Sequence, residues 1–419
     1  MNTWTWQVLL LLVVGAALMP AEEVPGQIQD GVPGGIFAEG TAVAWTVTGV
    51  APATAWTVEE PGPRRRIVAQ GTVGDGRIVV TPAQPCWLRL RVATGPGSAV
   101  LERGVLTGPQ TWAPAMAAPG DFDDFWSRQL AALDRIPPTA ALRQVSTAEG
   151  VITWECELPQ VNGRRVRGWL ARPAASGSCP AVLICQYAGI YPLGPGAAQA
   201  YAKRGWMALN ISAHDLPLQE KDEFYRRQEA GPLHGYPAIG CREPSTSYFR
   251  TMFLGCVQAA RLLIKRPEWN GTLLVTGTSQ GGLQALATAA LVPQTTATMV
   301  LMPAGCDTMA GTQDRLAGWP YWHAFDLPSG TTRDQALATS RYFDGVHFAA
   351  RAHGAVLVGY GLLDTTSPPT AVQAMLNQVP GKAVGIALPQ VSHHNHVRPL
   401  ARNVVHRTRS VCGSPLVPA

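Results

Sequence analysis

In the stretch LLVTGTSQGGLQAL, residues 273–286, a serine stands between glycines where an apolar run gives way to a helical pattern. A hydroxyl is a poor nucleophile at neutral pH, so chemistry at Ser279 requires a histidine to take its proton and a carboxylate to orient that histidine. Gly277-Thr278-Ser279-Gln280-Gly281 has the Gly-x-Ser-x-Gly spacing of a nucleophile elbow, a sharp turn that presents the side-chain oxygen at the end of a sheet. Glycines on both sides remove the Cβ atoms that would collide in such a turn. With 43 glycines in 419 residues the bare spacing is weak evidence. The flanks supply the weight: Leu273, Leu274 and Val275 read as a buried strand, and Leu283, Leu286, Ala287 and Ala290 recur at helical spacing.

The carboxylate and the histidine are expected after the serine, at the ends of later strands. Asp364 closes the apolar run GAVLVGYGLLD and leads into the loop TTSPP, whereas Asp307, Asp314, Asp326, Asp334 and Asp344 end no apolar run of that length. LPQVSHHNH follows the last strand-like run and holds three of the nine histidines, His393, His394 and His396, one of which is the expected base. A metal cluster formed by that trio is the competing chemistry, but adjacent ligands suit few sites and no carboxylate accompanies them. Neither a metal nor an organic cofactor is therefore expected. His214, which follows the run MALNIS, is a candidate for the substrate pocket.

These positions need a framework, and alternating strand and helix patterns provide one. AVLICQY, the segment around AAQAYAKRG, MALNIS, the helix FRTMFLGCVQAARLLIK, the serine corner, ATMVLMP, GAVLVGYGLLD and KAVGIALPQ succeed one another. That succession predicts an α/β class fold, a mostly parallel sheet with helices on both faces. Ahead of it, DFDDFWSRQLAALDRI sets Phe122, Phe125, Trp126, Leu130 and Leu133 on one helical face, and CELPQVNGRRVRGWLARP is two strand patterns joined near Asn162-Gly163. Residues 27–106 follow another pattern. Their short alternating runs, such as TAVAWTVTG and CWLRLRVATG, punctuated by Gly and Pro, predict a small all-β, sandwich-like domain. A packing or spacer role is its plainest reading, with Trp45 and Trp56 as candidates for carbohydrate contact. Residues 107–118, Pro- and Ala-rich and aperiodic, read as a linker to a catalytic domain over 119–412.

A chain that is 46% hydrophobic and 15% charged excludes general disorder. The net charge of +5 and one basic run, Arg64-Arg65-Arg66 beside Pro61-Gly62-Pro63, indicate a solvated hairpin tip and no nucleic-acid partner. VLLLLVVGAA, residues 8–17, is too short to span a bilayer comfortably and reads as the core of a signal peptide over 1–21, cleaved near 17–21. A secreted or periplasmic enzyme follows, with no membrane contact apart from the leader; an uncleaved anchor is the alternative. The eight cysteines include no Cys-x-x-Cys pair, and Cys185, Cys256 and Cys306 lie in or beside apolar patterns as buried thiols.

In order along the chain, DDFWSRQLAAL, RGWLARP, YAKRGWMALNIS, YFRTMFLGCVQAARLL, GTSQGG, GLLDTTSPP and SHH resemble the acetyl xylan esterase and cephalosporin-C deacetylase family, the seventh family of carbohydrate esterases. The resemblance spans about 121–402 and implies an α/β-hydrolase fold. It implies Ser279 as nucleophile, Asp364 as triad acid, and His393 as base, in the family histidine's place after Pro389. It also implies an oxyanion hole formed with the N–H of Gln280 and with Tyr187. Two departures stand out: Ala213-His214-Asp215 replaces the family's usual Arg-Gly-Gln, and Ser392-His393-His394 replaces Gly-His-Glu. The implied activity is removal of acetyl groups from acetylated oligosaccharides or polysaccharides, xylo-oligosaccharides among them, through an acetyl-enzyme. The implied assembly is a homo-oligomer enclosing its active sites, which an added N-terminal domain would obstruct. The residues alone leave open a peptidase, an esterase of larger acyl or uronate groups, and a catalytically silent carbohydrate-binding protein.

Overall fold

The computed structural model describes residues 26–94, 100–175 and 177–394; the leader, His396 and the end of the 119–412 segment lie outside these residues. The first strands are β1 (Gln27–Asp30), β2 (Ile36–Phe37), β3 (Val43–Thr48), β4 (Ala55–Glu60), β5 (Arg66–Thr72), β6 (Arg77–Val80), β7 (Trp87–Ala93) and β8 (Val100–Thr107). Alternation builds them: in β3, Val43, Trp45 and Val47 are buried while Thr46 and Thr48 face solvent. They form two sheets, ordered β1-β3-β6 and β2-β8-β7-β4-β5. Ile28, Trp45 and Ile78 from the first share a core with Val58, Leu88, Leu90 and Val105 from the second. Trp45 is fully buried and so meets no sugar, and Trp56 is half-buried with its Nε1–H donated to the Thr72 carbonyl at 2.9 Å. The arginine run sits at the tip between β4 and β5, where Arg65 pairs with Glu59 and Arg66 with Glu60.

The aperiodic segment after β8 is fixed along the rest of the protein. The N–H of Ala115 donates to Asp307 at 2.8 Å, Asn377 Nδ2 donates to the carbonyls of Pro109 and Trp112 at 2.8 Å each, and Arg341 reaches the Ala117 carbonyl at 2.8 Å. A lack of periodicity reports the absence of a repeating buried face; individual backbone groups can still be captured.

The larger sheet contains β9 (Ala141–Ala148), β10 (Val151–Pro159), β11 (Arg165–Pro173), β12 (Cys179–Cys185), β13 (Met207–Ile211), β14 (Trp269–Thr278), β15 (Ala297–Leu301), β16 (Ala355–Gly361) and β17 (Ala383–Leu388). Its order is β17-β16-β15-β14-β12-β13-β11-β10-β9. The ladders from β17 to β13 are parallel, and those joining β13, β11, β10 and β9 are antiparallel. The helices are α1 (Phe122–Asp134), α2 (Gly196–Ala202), α3 (Asp222–Ala230), α4 (Tyr248–Lys265), α5 (Gln280–Leu291), α6 (Arg333–Ser340), α7 (Gly345–Ala349) and α8 (Pro369–Leu376). The parallel strands are predominantly apolar because both faces are covered. Leu183, Leu273 and Val358 pack with α4 and α5, whereas Val182, Leu274 and Leu357 belong to a second core containing Ala198 and Tyr201 of α2. In α1, Phe122, Phe125, Trp126 and Leu133 are buried and Leu130 is half-buried, as their spacing predicts. Cys86, Cys156, Cys179, Cys185, Cys241, Cys256 and Cys306 are all free and buried.

Strand order locates a crevice. From β12 the chain passes to β13 on one side and later to β14 on the other, so the loops leaving the carboxyl ends of β12 and β14 diverge. Such a switch point is where open α/β sheets place their ligands.

Candidate active site

β14 ends at Thr278 and α5 begins at Gln280, leaving Ser279 alone to make the corner. Its backbone angles, φ 56° and ψ −122°, lie where side chains are rarely found. Neighbouring backbone holds it there: its N–H donates to the Leu301 carbonyl at 2.9 Å, and its own carbonyl accepts from Gly282 at 2.9 Å and Ala304 at 3.1 Å. The flanking glycines are steric necessities. A Cβ on Gly277 would stand 2.3 Å from the carbonyl of Gly281, and one on Gly281 would stand 2.4 Å from the carbonyl of Cys185.

Because β14, β16 and β17 run parallel, the loops leaving their carboxyl ends meet at one edge of the sheet. Ser279 Oγ is 2.9 Å from His393 Nε2, and His393 Nδ1 is 2.8 Å from Asp364 Oδ2. Asp364 is fully buried, and its Oδ1 accepts the amide hydrogens of Thr366 and Ser367 at 2.8 Å each. With one oxygen held by fixed donors, the other is aimed at the imidazole. A proton on Nδ1, donated to the carboxylate, leaves Nε2 as acceptor for the serine hydroxyl. His394 is exposed, its ring edge-on to that of His393 with centroids 5.5 Å apart.

Tyr187 leaves β12 at the switch point. The carbonyl of the preceding Gln186 accepts from Gln284 Nε2 on α5 at 2.8 Å, tying this loop to the elbow. The Tyr187 ring is 55% exposed and stacks on Tyr191 at 4.8 Å. Gln280 opens α5, so its N–H has no intrahelical acceptor and remains a donor next to the serine.

His214 occupies a different position. It is buried, with Nδ1 2.8 Å from the Tyr248 hydroxyl and Nε2 3.2 Å from the Gly189 carbonyl. A carbonyl only accepts, so the proton sits on Nε2 and Nδ1 accepts from Tyr248. Burial pushes the imidazole down to about 4, opposed in part by the Gly189 bond. Both ring nitrogens are therefore engaged beneath the 187–191 loop, so His214 supports that loop while it also lines a small cavity with Arg164, Asp215 and Tyr248. Tyr236 completes this layer: its ring meets His214 at 4.8 Å, and its hydroxyl donates to Gln280 Oε1. Sequence reasoning missed Tyr236, Tyr248 and Gln284. Gln284 carried one readable signal, an uncharged polar residue on the buried face of α5 one turn after Gln280.

Known proteins resemble this chain in sequence and in fold. An acetyl esterase of Xylanibacter ruminicola is 27% identical over 332 residues, covering 77% of this chain and 74% of that protein. An acetyl xylan esterase from Paenibacillus sp. R4 superposes with a TM-score of 0.60 at 22% identity, over 72% of this chain and 98% of its own. Acetyl xylan esterase 1 from Thermoanaerobacterium sp. JW/SL YS485 does so with a TM-score of 0.59 at 23% identity, over 73% and 96%. These two show the α/β-hydrolase fold. The family model described as acetyl xylan esterase matches residues 105–408, which contain the elbow, the Asp364 turn and the His393 turn, and with more than half its length so matched the chain belongs to the acetyl xylan esterase family.

Proposed function

We propose that this protein is an exported serine esterase that removes acetyl groups from acetylated xylo-oligosaccharides or xylan through an acetyl-enzyme intermediate. The observation that carries the reading is the continuous relay from Ser279 Oγ through His393 to buried Asp364, with contacts of 2.9 and 2.8 Å. Ser279 Oγ attacks the acetyl carbonyl while its proton passes to His393 Nε2. The amides of Gln280 and Tyr187 receive the developing oxyanion, each such donor being worth about 3 kcal/mol in the transition state. The C–O bond to the sugar breaks as His393 returns the proton to the leaving alkoxide. Water, deprotonated by the same histidine, then attacks the acetyl-serine, and as the acyl C–O bond breaks His393 returns that proton to Ser279 Oγ and acetate leaves. Asp364 keeps the imidazole in the required tautomer throughout.

The family, and the Tyr187–Tyr191 stack at the mouth of the switch point, support a small acyl site. The specificity constant for 4-nitrophenyl esters is expected to fall steeply from acetate to butyrate and to be negligible at octanoate. An open apolar slot would instead gain about 0.8 kcal/mol of binding per added methylene. A specificity constant that rises with chain length would reject the deacetylase reading and leave a general serine hydrolase.

A further inference from the structure

The N-terminal sheets touch the chain where it turns into its catalytic residues. Trp87, the first residue of β7, is buried on the side of that sheet away from the sandwich core, and its Nε1–H donates to the carbonyl of Leu362 at 2.7 Å. Gly104 in β8 donates its N–H to the carbonyl of Pro389 at 2.7 Å. Leu362 lies two residues before Asp364, and Pro389 lies four before His393. Both carbonyls are at strand ends, where the β16–β17 ladder runs out of partners.

The approach is close enough to dictate residue type. A Cβ on Gly104 would lie 2.0 Å from the Leu362 carbonyl oxygen. Gly35, at φ +65°, leaves room that a Cβ would fill to 3.0 Å from both the Leu362 and Pro389 side chains. The two turns are also bonded to each other, Leu362 N–H to the Leu388 carbonyl at 2.9 Å and Leu363 N–H to the Val391 carbonyl at 3.0 Å. A displacement of either turn therefore moves the other. Trp87 and Leu106 pack into the core of the α/β body, while their neighbours Leu88 and Val105 belong to the sandwich core, so the same two strands join both.

We propose that the N-terminal β-sheets act as a brace for the catalytic turns, with Trp87 and Gly104 as positioning residues that hold the Asp364 and His393 segments in register with Ser279. This rests on the reading of Ser279, His393 and Asp364 as the triad. The family match begins at Val105, so β1 to β7 and Gly104 lie ahead of it, and the brace is an addition to the part of the chain that carries the chemistry.

Full-length variants test the brace. Trp87→Phe keeps an aromatic ring and deletes only the indole donor. It is expected to lower kcat for 4-nitrophenyl acetate about tenfold with KM unchanged, and to slow phosphonylation of Ser279 by a fluorophosphonate in parallel, because small misplacements of reacting groups are costly. Gly104→Ala, which pushes on the Leu362 carbonyl, is expected to cost about a hundredfold by the same argument. Trp56→Phe deletes the indole bond to Thr72 inside the module and should leave both readouts at wild type. If Trp87→Phe does not fold, Gly104→Ala carries the test. Folded Trp87→Phe or Gly104→Ala protein with wild-type kcat and labelling rate overturns the proposal. An active Ser279→Ala enzyme would instead overturn the triad reading itself, so the two failures are distinct.

Discussion

Ser279→Ala is expected to lower kcat/KM for an acetyl ester by on the order of 10⁵, with the melting profile unchanged, because members of a triad act as one unit. The Ser279 hydroxyl is bonded to His393, while the strained corner is held through the Ser279 backbone by Leu301, Gly282 and Ala304. Alanine keeps those backbone bonds and a Cβ of the same size, so the expected loss belongs to chemistry. Steady-state kinetics with 4-nitrophenyl acetate, beside a thermal melt, make the measurement. Activity within tenfold of wild type would remove Ser279 from the mechanism.

The second large effect separates adjacent histidines. His393→Ala should fall by about 10⁴ or more, since it removes the proton acceptor and leaves Asp364 buried without its imidazole partner. His394→Ala should stay within a few fold, because that ring is exposed and the bonds to Ser279 and Asp364 both belong to His393. The same ester assay on the two variants decides. A dead His394→Ala beside an active His393→Ala would move the base by one position.

Much of this site was legible because each of its parts obeys a local rule. The Gly-x-Ser-x-Gly spacing announced a turn too tight for Cβ atoms, and the 2.3 and 2.4 Å approaches at Gly277 and Gly281 are that rule in space. Asp364 was legible from its place after a long apolar strand. The histidine was narrowed only to a trio by the residues, and the family resemblance supplied His393. The layers of the fold were readable from apolar runs that demand burial on both faces and from the helical face of α1. What escaped depends on contacts between distant segments. His214 looks in sequence like any residue at the end of a strand, and only Tyr248 and Gly189, folded against it, occupy both its nitrogens. Trp45 and Trp56 show the same ambiguity, since an indole in a strand suits a core and a sugar platform equally. The fixed course of 108–118 was illegible for a further reason: its partners Asp307, Arg341 and Asn377 bind backbone groups, which carry no side-chain pattern.

Titration of active sites tests most directly whether Ser279 is the nucleophile of a deacetylase. The protein is labelled to increasing extents with a fluorophosphonate, the modified residue is located by peptide mass mapping, and acetate release from acetylated xylo-oligosaccharides is measured on each sample. The phosphonyl group is expected on Ser279, and acetate release is expected to fall in direct proportion to its occupancy, reaching zero at one label per chain. Full acetate release from protein completely labelled at Ser279, or inactivation that tracks a label on another residue, would contradict the mechanism.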